Sequence, residues 1–476
     1  MAYDIIIVGA GPAGIFTALE LTNLNKEAKI LIIDKGKNIE KRVCPARLTN
    51  KCVKCNPCNI VAGWSGAGAF SDGKLSLSPD VGGWLLNYYD RDEAQSLIDY
   101  CDQIYLSFGA DNKVYGLDSD KIANIKSEAS KYNIKLIECP FRHLGTELAY
   151  EVLKSMYYHL INNTKTTVMT ETEVLRVNTS NDNTSGVIVK NKDGEQEIKG
   201  KYVVVAPGRG GASWFSDEAK RLGINVTNNT IDIGVRVEVP NSVMEHLTEH
   251  LYEAKLVYYS DTFDNMVRTF CMNPGGVVSE EKYDNGKIAV VNGHSYADKK
   301  RHTNNTNFAL LVSTNFTEPF KEPINYGKYI ASLGNMLTGG GIMVQRLEDL
   351  LNGRRTDVSR LAKSVTEPTL KSAVPGDLSF ALPHRHLMSI IEALRAFDNI
   401  APGLYSKGTL LYGIEVKFYS AKIATNNHFE TEINNLYAIG DGAGITRGLM
   451  QASATGVVVA RSINNKLKST KSDKKS

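Results

Sequence analysis

The sequence predicts an α/β fold: a parallel sheet flanked by helices, joined to a second, mixed α+β domain and carrying a helical insertion. Three observations predict it. A β-branched run at residues 3–8 meets a glycine-rich turn, a helical pattern continues through Leu24, and a second strand pattern covers residues 28–33, which makes one βαβ unit. From Lys165 short alternating strands are separated by turn signals at residues 181–183 and 192–194 and end in the apolar run of residues 202–206. A strand pattern at 436–439 and a closing helix from about Leu449 to Ile463 then return to the texture of the first unit.

The remaining elements follow in order. Residues 42–79 lose periodicity and are rich in Cys, Gly and Ser, which marks a long loop packed on something, and long loops of this kind are often functional. Helical patterns cover 91–108, 119–131 and 145–162, with a strand-like interruption near 134–143. Further strands are expected at 231–239, 308–316 and 411–418, and helices at 341–352 and 384–397. At 476 residues the chain exceeds one compact core, so we divide it. The first domain is discontinuous (1–80, 141–235 and 405–465), 81–140 is the helical insertion, 236–404 is the second domain, and the lysine-rich 466–476 is a disordered tail.

The strongest motif is Gly9-Ala10-Gly11-Pro12-Ala13-Gly14, between a strand and a helix, with Asp34 ending the next strand. Gly9 allows the tight turn, Gly11 lets backbone approach a pyrophosphate, Gly14 lets helix and strand pack, and the helix N-terminus, opening at Pro12, offers N–H groups from Ala13 onward to phosphate charge. Asp34, with Lys35 beside it, is placed for an adenosine ribose. Together these make a Rossmann-type dinucleotide-binding domain; the bland alternative is a tight turn with no ligand.

The far end of the chain carries Leu436-Tyr437-Ala438-Ile439-Gly440-Asp441-Gly442-Ala443-Gly444, which resembles the second FAD signature of the glutathione reductase-like flavoprotein superfamily. The resemblance implies that Asp441 binds a ribitol hydroxyl and that the helix opening at Gly448 and Leu449 aims its positive end at the flavin pyrimidine. Tyr202-Val203-Val204-Val205-Ala206-Pro207-Gly208 resembles that superfamily's apolar strand ending in Ala-Thr-Gly, with Pro207 in place of the threonine. The segments 52–75, 142–146 and 440–453 further resemble a prokaryotic group known only as uncharacterised FAD-dependent dehydrogenases. That likeness implies a fold and FAD, and no substrate.

The same resemblance lays the glycine-rich run of residues 66–73 along the isoalloxazine ring. Ser71, Asp72 and Lys74 then lie near the reactive flavin edge, where a lysine can stabilise developing negative charge or donate a proton; the alternative is a plain turn with a solvent-facing lysine. His143 is a candidate general acid or a structural hydrogen-bonding residue. Arg447 is a candidate for a substrate carboxylate or a flavin carbonyl, or a helix-start residue with no role.

Cys44, Cys52, Cys55 and Cys58 are spaced so that neighbouring thiolates can converge on one centre. A [4Fe-4S] cluster could pass single electrons to the flavin, zinc would staple the loop, and reduced thiols or a disulfide pair cycling with the flavin remain a third reading.

Composition excludes less than it permits. The formal net charge of +3 gives no footprint for nucleic acid, so an RNA-modifying flavoprotein acting on tRNA is the alternative rather than the first expectation. The apolar run from Tyr3 is broken by Asp4 and three glycines, so we expect neither a signal peptide nor a membrane span. Seven cysteines without an export signal suggest a reducing, cytoplasmic setting. No second dinucleotide-binding motif lies between the signatures, which disfavours the two-nucleotide-domain disulfide reductases. Gly208-Arg209-Gly210 stands where aromatic hydroxylases carry Asp-Gly, which lowers a monooxygenase reading. The first expectation is an FAD-dependent dehydrogenase or reductase. It would move a hydride or electron pair between flavin N5 and a small organic substrate held between the FAD domain and 236–404, with NAD(P)H as a possible transient donor and the oligomeric state open.

Overall fold

The computed structural model describes residues 2–45, 53, 55–71, 73–283, 287–296, 299–317, 319–320 and 322–472. The chain divides into two compact units: Met1–Lys113, Phe141–Asn229 and Tyr419–Ser476 form the first, and Val114–Pro140 with Thr230–Phe418 form the second.

The first unit is built on the expected βαβ start: β1 (Ala2–Val8), α1 (Pro12–Leu24) and β2 (Ile30–Ile33). A short ribbon follows from β3 (Lys74–Ser76), then come α2 (Arg91–Ser107), β4 (Phe141–His143) and α3 (Gly145–Asn163). Strands β5 (Thr166–Met169), β6 (Glu173–Ser180), β7 (Asn183–Asn191) and β8 (Gly194–Val205) complete the middle, and β9 (Leu436–Ala438) and α4 (Leu449–Ser472) close the unit. The sheet runs β5-β2-β1-β8, with β9 beside β8, and every one of these pairs is parallel. The twelve residues of β8 serve two purposes. Its first half pairs antiparallel with β7, and its second half, Val203–Val205, pairs with β9.

Parallel strands are covered on both faces, and the sequence obeys: Ile5, Ile6, Ile7, all of β2, and Val203 to Val205 are buried. Helices α1 and α4 pack closely enough that a Cβ on Gly456 would lie 2.3 Å from the Ala13 carbonyl oxygen. Only glycine fits there.

The second unit centres on an eight-stranded sheet in the order Val374–Pro375, Met343–Arg346, Leu410–Lys417, Ile231–Pro240, Asn305–Thr314, Met266–Asn273, Lys255–Tyr259, Lys135–Ile137. All its pairings are antiparallel except the first, which is what a mixed α+β domain requires. One face of the central strand, Ile231, Ile233, Val235, Val237 and Val239, joins an apolar core with His384–Phe397 and Asn241–Leu251.

Three expectations need correction. The 81–140 insertion is not a body of its own: α2 buries Ala94, Leu97 and Ile98 in the first unit, whereas Lys135–Ile137 adds an edge strand to the sheet of the second. Residues 341–352 are not one helix, because Met343–Arg346 is a buried strand paired with Leu410–Gly413, and only Leu347–Leu351 is helical. Pairing with a central strand outweighs local helical preference. The tail is not disordered from 466, because α4 runs to Ser472, with Leu467 packed on the core and Lys466 paired with Glu430 at 2.5 Å. Among the described residues no helix is long and apolar enough to cross a membrane.

Candidate functional site

Three glycine turns leave β1, β8 and β9 at the same sheet end, and the glycines themselves measure how closely they converge. A Cβ on Gly9 would sit 2.1 Å from the Ala206 oxygen at the end of β8. One on Gly442 would sit 2.6 Å from the Gly208 oxygen, and one on Gly440 would sit 3.1 Å from the Ala13 Cβ. Gly14 is equally closed, 2.1 Å from the Gly9 oxygen. Gly11 and Gly208 are the opposite: nothing lies within 4 Å of a Cβ at either position. Closed positions hold the turns together, and open ones leave backbone bare. Gly11 is also the N-cap of α1, no side chain caps that terminus, and Pro12 occupies its first turn. The first-turn N–H groups of a helix have no intrahelical partner, which suits a pyrophosphate.

Asp34 takes a role that its position at the end of β2 did not announce. Its carboxylate accepts from the N–H groups of Ala10 at 3.0 Å and of Gly36 and Gly63, both at 2.8 Å. It therefore ties the phosphate-type turn to the incoming loop, and a ribose hydroxyl would have to share its remaining lone pairs. Lys35 donates to the Gly210 carbonyl at 3.3 Å, joining the end of β2 to the turn after β8.

Asp441 accepts from the Thr446 hydroxyl at 2.6 Å and lies 3.9 Å from Arg209. Burial pushes its carboxyl above the ordinary carboxylate value, against the opposing pull of Arg209, Thr446 and Arg447. Arg447 lies in a strip of chain held by Gly82, whose carbonyl accepts the Arg447 N–H at 2.8 Å. Its guanidinium carbon lies 3.8 Å from the centre of the Trp84 ring and 3.2 Å from that of Tyr419, two rings that stand nearly perpendicular to one another. Gln451, wholly buried, fixes the facing segment by donating to the carbonyls of Pro79 and Val81 and accepting from the Leu85 N–H.

The segment expected along the flavin does lie against the first turn. The Ser65 N–H donates to the Ala10 carbonyl at 2.6 Å, a Cβ on Gly66 would sit 3.3 Å from Gly11, and Gly68 abuts both Pro12 and Leu449. Ser71 spends its hydroxyl locally, donating to the Gly68 carbonyl and accepting from the Gly73 N–H. Asp72 lies outside the described residues. Lys74 and His143 are brought together, since they stand directly opposite across the β3–β4 ribbon and so share a face. The next rung turns inward, where Leu75 is buried and Arg142 makes a two-pronged ion pair with Asp102 at 2.6 and 2.8 Å.

Sequence reasoning missed Arg42. Buried in the long loop, it donates to the carbonyls of Asn59, Ile60 and Trp64 and to the Ser65 hydroxyl, and it stacks on Phe70 at 4.7 Å. Burial lowers its pKa to about 10, with Asp34 opposing, so it stays charged at neutral pH. It also missed a charged layer in the second unit. Arg236 reaches both oxygens of Glu415 at 3.0 Å, Asn307 at 2.9 Å and the Cys271 carbonyl at 2.7 Å, and none of Arg236, Glu415 and Asn307 is exposed.

The cysteine tetrad falls partly outside the described residues, at Cys52. Among the described residues no group of three or more His, Cys, Asp or Glu side chains is placed to hold a metal ion.

With this geometry in hand, residues 230–418 match the family model described as "FAD-dependent protein, C-terminal domain-like". The second unit is similar to a domain of FAD-dependent proteins. An uncharacterized protein of Clostridium beijerinckii is 27% identical over 481 residues, covering 97% of this chain and 80% of its own length. Solved structures with distant likeness include a formate oxidase variant from Aspergillus oryzae, with TM-score 0.45, 11% identity, and coverage of 98% of this chain and 99% of that one. They also include E. coli quinol fumarate reductase FrdA, with TM-score 0.42, 12% identity, and coverage of 98% and 70%. Likeness this distant decides neither activity nor substrate.

Proposed function

We propose that the protein is an FAD-dependent oxidoreductase acting on a small organic substrate. The convergence of the turns at Gly9–Gly14, Pro207–Gly208 and Gly440–Gly444 carries this reading, because they close on one another while Gly11 and Gly208 stay open to a ligand. The residues present fit the dinucleotide. Gly11, Pro12 and Ala13 would meet the pyrophosphate, Asp34 and Lys35 would stand at the adenosine end, and Asp441, Gly442, Gly448 and Leu449 would hold the flavin half. Bound FAD supplies two-electron redox chemistry at the flavin N5.

The chain's own residues orient and exclude. The α1 N-terminus offers partial positive charge to the phosphates without a competing side-chain cap. Asp441, raised in pKa by burial, gains from a hydroxyl donor that satisfies its carboxylate. Lys74 and His143, paired on one face of their ribbon, supply a cation and an imidazole that can hold or move a proton at Nζ or at a ring nitrogen. Arg447, held against the rings of Trp84 and Tyr419, would present a cation suited to a carboxylate.

The test is anaerobic titration of the FAD-loaded protein with NADH, NADPH and a panel of carbon donors, following bleaching of the flavin. Reduction by a donor, with FAD retained but turnover reduced in Lys74→Met, supports the reading. Wild-type turnover in Lys74→Met with the identified substrate removes Lys74 from the chemistry.

A further inference from the structure

The long loop of the first unit has a pinned neck. Arg42 donates from its side chain to the Asn59 carbonyl at 2.9 Å and the Ile60 carbonyl at 2.6 Å, and Asn59 donates back to the Val43 carbonyl at 2.8 Å. These side-chain bonds tie the outgoing arm at residues 42 and 43 to the returning arm at residues 59 and 60. Cys44 and Cys58 are the next residues along the two arms, one beyond Val43 and Asn59. Both are free thiols, Cys44 partly accessible and Cys58 exposed, and Cys58 lies within electrostatic reach of the Arg42 guanidinium. A disulfide needs two cysteines whose Cα atoms come within about 7 Å, and arms tied together one residue away favour that approach.

We propose that Cys44 and Cys58 are an oxidisable thiol pair that closes this neck, and that closure is felt by the Ser65–Phe70 segment through Arg42. With a low-molecular-weight disulfide as oxidant, the Cys58 thiolate attacks one oxidant sulfur and releases one thiol. Cys44 then attacks the Cys58 sulfur of the mixed disulfide and releases the second. Two protein thiols are oxidised, one oxidant disulfide is reduced to two thiols, and the two protons pass to the leaving thiolates. The coupling follows from the contacts of Arg42, which bonds Trp64 and Ser65 and covers Phe70 while holding both arms of the neck. The thiol pair stands without the FAD reading; the coupling rests on it.

The experiment treats the full-length protein with oxidised glutathione, alkylates the remaining thiols and maps tryptic peptides without reduction. The peptide holding Cys44 should be joined to the one holding Cys55 and Cys58, with two of the seven cysteines lost to alkylation. The link should persist in Cys55→Ser and vanish in Cys58→Ser. FAD release, followed by the return of flavin fluorescence, should be slower from the oxidised protein, and the difference should disappear in Cys44→Ser. Full alkylation of Cys44 and Cys58 after oxidant, a link that moves to Cys55, or stoichiometric metal that Cys44→Ser releases each overturns the pair. A formed link with an unchanged release rate overturns the coupling alone. A protein that binds no FAD at all overturns the coupling too, and the peptide map still decides the pair.

Discussion

Gly11 and Gly14 are three residues apart in one turn, and the structure assigns them opposite sensitivities. A side chain at Gly14 begins 2.1 Å from the Gly9 oxygen, in the turn after β1, and 3.0 Å from Cγ2 of the buried Ile7. Neither neighbour can retreat, so Gly14→Val should cost the apoprotein the overpacking penalty of about 1–3 kcal/mol or more. Gly11 has φ −80° and ψ 179°, which any residue adopts, and a Cβ there meets nothing within 4 Å. Gly11→Val should therefore leave the apoprotein within about 1 kcal/mol of wild type, the scale of a changed N-cap. It should still bar phosphate from the helix N-terminus. Losing one or two charge-assisted hydrogen bonds there costs about 3 kcal/mol, or roughly 100-fold in Kd. The assay removes flavin, melts each apoprotein and titrates it with FAD by fluorescence. Wild-type affinity in Gly11→Val, or wild-type stability in Gly14→Val, refutes the assignment of these turns.

Two further predictions concern stability. Arg142→Met leaves Asp102, with 9% of its side chain exposed, buried without its partner, which should cost about 3–5 kcal/mol and lower the melting temperature by roughly 10 °C. Asp102→Leu in the same chain should recover much of this, and an unchanged melting temperature in the single variant contradicts the pairing. His386 is buried and bonded to Thr314 at 2.8 Å, and burial, with Arg385 adding to it, pushes its pKa down from 6.5 to about 4. The folded state thus binds fewer protons than the unfolded state between those values. The stability His386 contributes is fully present above pH 6.5 and is lost as pH falls towards 4, by about 3 kcal/mol. His386→Gln should flatten that part of a denaturant-midpoint against pH profile; an unaltered slope assigns the acid sensitivity elsewhere.

The turns at Gly9–Gly14 and Gly440–Gly444 were legible as turns because each depends on local geometry that few residues satisfy, whereas the role of Asp34 in tying backbone N–H groups together was not. Gly9 requires its positive φ of 106°, and no side chain fits at Gly442. The pairing of Lys74 with His143 was not legible, since it depends on a ribbon between strands more than sixty residues apart. Asp232, Arg236 and Glu238 alternate with apolar residues, a pattern that commonly accompanies one solvated face, yet all three are buried. The ribbon of Val277–Tyr283 and Ile288–His294 explains the difference at Arg236, where only a glycine at position 293 leaves room for the guanidinium. A period of two reports which residues share a face and cannot report whether a second layer covers it. Arg42 escaped for a related reason, as its side-chain hydrogen bonds go mostly to backbone carbonyls, which no side-chain pattern reveals.

The most direct test is the flavin content of the purified protein, released by heat and identified by chromatography beside a protein assay. The turns at Gly11, Gly208 and Asp441 predict a yellow protein carrying one non-covalent FAD per chain, or an apoprotein that takes up one on reconstitution. A colourless, folded protein that binds no FAD at any concentration tried contradicts the central claim.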